Sequence, residues 1–126
     1  MIYTTILFGL MLKHAFVDLF LQSCYKPSDK TRYLNGIRHY IDHGVGTALV
    51  VFVLTFDVWA SLIVGVVDFV VHSAIDHYKS RLVKHLGWNR NEPRFWKLQS
   101  LDQALHYVTY FVIVLLLANQ SWLVQI

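Results

Sequence analysis

The chain has 126 residues, of which 56% are apolar and 15% charged, and its mean hydropathy is +0.44. That is one domain's length of chain and too oily for an ordinary water-soluble domain, so the composition points to a bilayer as its solvent. The formal net charge of +3 is modest, and no recognition helix or stacking motif accompanies it, which argues against a nucleic-acid partner.

The first apolar stretch, Ile2 to Leu21, has the roughly 20 residues needed to span a ~30 Å hydrocarbon core. It lacks a basic leader and a small-residue cleavage pattern, and it contains Lys13, His14 and Asp18. It therefore reads as a retained helix rather than a signal peptide. Beyond it come Cys24, whose solitude rules out an intramolecular disulfide or a cysteine metal cage, and the loop Lys26-Pro27-Ser28-Asp29-Lys30.

The second stretch, Ile37 to Phe56, carries His39 and His43 with Asp42 alongside, and its Gly44 and Gly46 allow close helix packing. The third, from Val58, carries Asp68, His72 and Asp76. It is expected to run on to Leu86, because Ser80 to Leu86 mixes apolar and basic residues at helical spacing. After a second loop at Asn89-Arg90-Asn91-Glu92-Pro93, the fourth stretch carries Asp102 and His106. The expected fold is all-α: one domain over 1–126, a bundle of four transmembrane helices at about 2–21, 37–56, 58–86 and 98–118.

Basic residues fix the expected orientation. Lys26, Lys30, Arg32 and Arg38 flank the first loop, and Lys79, Arg81, Lys84, Arg90, Arg94 and Lys97 flank the third, while the termini and the turn at Phe56-Asp57-Val58 have neither Lys nor Arg. The positive-inside rule makes both basic loops cytoplasmic and places both termini on the periplasmic side of a bacterial inner membrane. Trp88 and Trp96 then mark one interface, Trp59 and Trp122 the other. A basic surface of this kind attracts anionic lipid headgroups.

Each stretch holds a His or Asp pair four residues apart, hence on one helix face. Ionisable groups at membrane depth are costly unless they face the bundle interior and find partners. Converting position to depth at ~1.5 Å per residue puts His14, His43, His72 and His106 at about 10 to 12 Å from the cytoplasmic end. Asp18, His39, Asp76 and Asp102 fall one turn nearer that end, at about 4 to 6 Å. Two such layers can hold one or two divalent ions, zinc, manganese or iron, or form a metal-free hydrogen-bonded network. Asp68 lies deeper, at about 16 Å, and is expected to be paired or protonated. Lys13 reads as lying on a different face from His14 and outside the site. His77 and His85 read as interfacial side chains.

The motifs His14-Ala-Phe-Val-Asp18-Leu-Phe-Leu-Gln22, a following Lys30, His39 with His43, His72-Ser-Ala-Ile-Asp76-His-Tyr-Lys79, and Asp102-Gln103-Ala-Leu-His106 cover nearly the whole chain. Their order resembles a family of small integral membrane proteins of phages and bacteria known only as a domain of unknown function. The resemblance implies that Gln22, Lys79 and Gln103 belong to the polar site, and it names no substrate.

From the residues, the leading expectation is a membrane-embedded, metal-dependent hydrolase of an anionic lipid or lipid-linked phosphate. Its metal ligands are drawn from His14, Asp18, His39, His43, His72, Asp76, Asp102 and His106. Asp76 or Asp102 serves as general base, and Arg38, Lys79, Gln22 and Gln103 bind substrate. The alternatives are a metal or proton conduit and a non-catalytic phage or bacterial envelope protein with a metal-stabilised core.

Overall fold

A computed structural model describes residues 1–24 and 29–119. Trp122 and Lys26 to Ser28 lie outside the described residues. Four long helices dominate: α1 (Ile2–Phe16), α2 (Ile37–Thr55), α3 (Val58–Leu86) and α4 (Pro93–Ala118). There is no strand among the described residues. Each helix packs against its neighbour in the chain, and α4 returns to pack on α1, so the four close into a ring.

Local chemistry sets the ends. α1 runs into a wider π-helical turn, Val17–Leu21, that carries Asp18, and then a 3-10 turn, Gln22–Cys24. The α2–α3 turn is two residues long. Phe56 takes a left-handed φ of 56°, and the Asp57 carboxylate caps α3 by accepting from the Ala60 N–H at 2.9 Å. Gly87, at φ 66°, stops α3, with its own N–H and that of Trp88 bonded back to Lys84 and Val83. α4 begins at Pro93 rather than near 98, because proline at the first helical position needs no hydrogen-bond partner and already has a helical φ.

The bundle is apolar on the outside. Phe8, Leu19, Trp59 and Val66 are each more than 60% exposed, whereas Lys13, Asp68, Asp76, Asp102 and five histidines are buried. α1 with its continuation to Cys24, α3 and α4 are long and apolar enough to cross a membrane, which suggests membrane association. α2 falls short of that measure because its first two turns carry Arg38, His39, Asp42 and His43.

Inside, the helices divide into two zones. Ile6, Leu10, Val51, Ala60, Val64, Ile113, Val114 and Leu117 form an apolar core at the end away from the basic loops. The polar residues fill the other end. α2 and α3 meet closely at Gly44 and Gly65: a Cβ on Gly65 would lie 2.9 Å from both the Gly44 carbonyl oxygen and the Ala48 Cβ. Gly65→Ala must therefore push the two backbones apart, and we expect it to cost about 1–3 kcal/mol. Unfolding in detergent measures the loss; a variant as stable as the native chain would refute the close contact.

Candidate functional site

Four helices contribute one imidazole each to a single layer. The His72 ring is stacked between those of His43 and His106, with centroids 3.6 and 4.0 Å away and planes tilted by 19° in each case. The His14 ring lies 5.0 to 5.6 Å from all three. His39, one turn nearer the loops on α2, meets His43 edge-on at 4.5 Å.

Three carboxylates lie below this layer. Asp18 faces His43 Nε2 at 3.0 Å, His14 Nε2 at 3.2 Å and His39 Nε2 at 3.4 Å. Asp76 Oδ1 accepts from His106 Nε2 at 3.3 Å, and its Oδ2 lies 3.5 Å from His39 Nε2 and 3.7 Å from His72 Nε2. Asp102 Oδ1 stands 3.6 Å from His106 Nε2. All eight residues expected as metal ligands are thus brought together.

The floor opens into a cavity of about 550 Å³ at the basic end, and Asp18, His39, Asp76 and Asp102 line it. Two lysines enter from its sides: Lys30 Nζ donates to Asp76 Oδ2 and Lys79 Nζ to Asp102 Oδ2, both at 2.9 Å. Gln22, Gln99, Gln103, Lys84 and Arg90 complete much of the polar wall. Gln103 Oε1 also lies 3.1 Å from His14 Nε2. Arg38, expected to bind substrate, is exposed on α2 and is absent from this wall.

The lysine that takes that flank is Lys30, which charge counting placed only in a loop. The segment that bears it is strapped to α3: His77 Nδ1 donates to the Lys30 carbonyl at 3.1 Å, and Tyr33 donates its hydroxyl hydrogen to Ser73 at 3.0 Å. His77 therefore secures one wall of the cavity.

Lys13 corrects the sequence reading. It is buried, and its ammonium donates to Asp68 at 2.9 Å and to the Tyr110 hydroxyl at 3.0 Å, while its third N–H is shared between Nδ1 and the carbonyl of His43, both at 3.3 Å. Thr47 donates to the same Asp68 oxygen at 2.6 Å. The expected partner of Asp68 is thus identified. The signal was present in the periodicity, because Ile6, Leu10, Lys13 and Val17 form one stripe at helical spacing, and all four are buried.

This group also sets proton positions. An ammonium can only donate, so His43 Nδ1 accepts from it and the ring proton sits on Nε2, facing Asp18. Tyr110 accepts from Lys13 and donates onward to His14 Nδ1 at 2.8 Å, which likewise leaves the His14 proton on Nε2. His14 and His43 are thereby arranged as hydrogen-bond donors to Asp18.

Two groups have ligand atoms mutually within 4.8 Å: Asp18, His39, His43 and His72, and the fully buried set His72, Asp76 and His106. The second is buried throughout and lies outside the reach of the Lys13 group, which fixes the proton of His43; His106, which donates its Nε2 proton to Asp76, would give up that proton on binding an ion. His72 Nδ1, Asp102 Oδ1 and the Tyr40 hydroxyl are buried without a hydrogen-bond partner, and of these only His72 belongs to either group. Imidazole with carboxylate is a donor set compatible with zinc, manganese or iron.

Removing Lys13 alone leaves Asp68 as an uncompensated buried charge. We expect Lys13→Met to cost about 3–5 kcal/mol in a detergent unfolding assay, and the double variant Lys13→Met with Asp68→Leu to recover most of that loss. A double variant no more stable than the single one would show that the pair is not the source of the effect. Among known proteins, no curated protein and no solved structure matches the chain. A family profile does match, over residues 6–126, and the chain belongs to that family, described as protein of unknown function (DUF3307).

Proposed function

We propose that the chain is a membrane-embedded, metal-dependent hydrolase that cleaves a phosphate ester of an anionic lipid or lipid-linked phosphate from the cytoplasmic leaflet. In this reading α2 is the fourth transmembrane helix, with its polar turns directed into the bundle and the basic loops cytoplasmic. The observation that carries the proposal is the convergence of His72, Asp76 and His106 behind a cavity whose wall includes Lys30, Lys79, Lys84 and Arg90.

His72, Asp76 and His106 would hold one divalent cation, with His39 beside them. Such an ion supplies Lewis acidity towards water and a phosphoryl oxygen. The chain's own residues do the rest. Lys30 and Lys79 provide cationic hydrogen-bond donors at the height of the carboxylates, where a phosphate group would lie. Asp76 is surrounded by His39, His72, His106 and Lys30, whereas Asp102 keeps one oxygen without a hydrogen-bond donor. Asp102 is therefore the general base that accepts the proton of the attacking water. Gln99 and Gln103 steady this base and its lysine: Lys79 donates to Gln99 at 3.3 Å, and Gln103 donates to Asp102 at 3.4 Å.

The Lys13 group favours a second reading, a metal-free core held by hydrogen bonds, because it turns His14 and His43 into donors. The conduit is less favoured, since among the described residues the core beyond Tyr110 holds no buried titratable group.

Elemental analysis of protein purified without a metal-chelating affinity step separates the first two readings. We expect about one zinc, manganese or iron per chain, lost in His72→Ala while the helical circular-dichroism signal is retained; less than stoichiometric metal supports the metal-free core. Activity is tested on phosphatidate and a polyprenyl phosphate in detergent micelles. We expect turnover that a chelator abolishes and a divalent cation restores, reduced on the order of 10²–10⁴-fold in Asp102→Asn. Absence of chelator-sensitive turnover on both substrates would count decisively against the hydrolase.

A further inference from the structure

Several apolar grooves run between the helices on the outer surface, and one differs from the others in what lies at its inner end. The groove between α3 and α4, about 290 Å³, is walled by Ile75, Tyr78, Leu82, Leu98, Leu101 and Leu105. Its remaining contacts include Lys79 and Asp102, the same two residues that line the polar cavity. The α2–α3 groove, along Ile41, Val45, Leu62 and Phe69, shares no residue with that cavity. Neither does the α1–α2 groove, whose Lys13 and Asp42 belong to other surroundings.

At the junction, the Lys79 ammonium lies 2.9 Å from Asp102 Oδ2 and 3.3 Å from Gln99 Oε1. Asp102 and Gln99 take two of the three ammonium N–H groups, so the third can be offered to a phosphoryl oxygen of a ligand that has apolar substance on one side of this point and polar substance on the other. A soluble phosphate would use the cavity and leave the groove unused. A phospholipid matches both. Leu101 and Leu105 are 55% and 44% exposed, so the groove opens sideways towards the surrounding chains rather than towards the loops.

We propose that the α3–α4 groove is the lateral access path for a phosphate-headed lipid, with one hydrocarbon chain along Leu82, Leu101 and Leu105 and the phosphate at Lys79. This rests on the proposed function for the identity of the headgroup. It adds that the ligand comes from within the leaflet and that Lys79, at the junction, selects anionic over zwitterionic lipids. The exposed face of Tyr78 and the shared position of Lys79 on α3 make that residue the boundary between chain and headgroup.

The test uses tryptophan fluorescence quenched by brominated lipid chains. Leu101→Trp is prepared with Trp59, Trp88, Trp96 and Trp122 replaced by Phe and placed in phosphatidylcholine bilayers. Brominated phosphatidate or brominated phosphatidylcholine is then added at equal mole fraction, with zinc and separately with chelator. We expect phosphatidate to be enriched about fivefold over phosphatidylcholine at this tryptophan in at least one of the two conditions, as one well-placed lysine would give. The excess should vanish in Lys79→Gln and survive in Lys79→Arg, which keeps the charge. A tryptophan at Leu62, in the α2–α3 groove, should show no preference. Equal quenching by the two lipids at Leu101 in both conditions, or an equal preference at Leu62, overturns the proposal. Leu105→Trp serves as the second reporter if Leu101→Trp folds poorly. Quenching does not require turnover, so the outcomes separate. Lipid preference without hydrolysis removes the hydrolase alone, and chelator-sensitive hydrolysis without lipid preference removes the lateral path alone.

Discussion

A charge taken out of water has to be met by an opposite charge or by hydrogen bonds, and the interior of this bundle is organised around that requirement. Asp68 is met by Lys13 and Thr47, Asp76 by Lys30 and His106, Asp102 by Lys79, and Asp18 by His14 and His43. Because the partners come from different helices, satisfying each carboxylate also fixes how the helices stand beside one another. Lys13 on α1 reaches α3 at Asp68 and α4 at Tyr110; Lys30 ties the loop before α2 to α3; Lys79 ties α3 to α4. Interhelix register is specified by the polar layers, while the apolar surface that faces outwards can slide against hydrocarbon with little penalty.

This arrangement also divides labour between the two ends of the histidine layer. On the deep side, Lys13 and Tyr110 hold the Nδ1 atoms of His43 and His14 and thereby set which face of each ring carries a proton. On the shallow side, lysines and glutamines stand at the carboxylates and border a cavity large enough for a headgroup. His72 lies between, stacked on both sides and with one nitrogen left without a partner, so it is the residue least committed to either set.

Much of this was legible from spacing. Four-residue pairs place two side chains on one helix face, and basic loops give alternate helices a common end from which to measure depth, so the convergence of His14, His43, His72 and His106 followed from helix geometry alone. What escaped was of two kinds. Lys13 points away from His14 by its angle around the helix, yet it continues the Ile6, Leu10, Val17 stripe, where an ammonium among apolar residues announces a buried partner. Lys30 stands among the residues that carry the family resemblance, but its place at Asp76 and the role of His77 escaped because a loop has no period: nothing in its residues says which helix it will lie against. The early start of α4 at Pro93 belongs with these, since hydropathy averages blur a polar first turn that proline nonetheless begins.

The apolar core at the far end has an electrical consequence. If the bundle spans a bilayer, the water-accessible cavity brings the bulk phase up to the carboxylates, and the voltage across the membrane falls mainly over the dry segment built from Ile6, Leu10, Val51, Val64, Ile113 and Leu117. Moving a full charge through the whole field is worth about 2.3 kcal/mol per 100 mV. A cation or phosphate that enters from the basic end crosses only a small part of that drop. Its occupancy is then nearly blind to the membrane potential, and an energised and a de-energised cell present this site with the same chemistry.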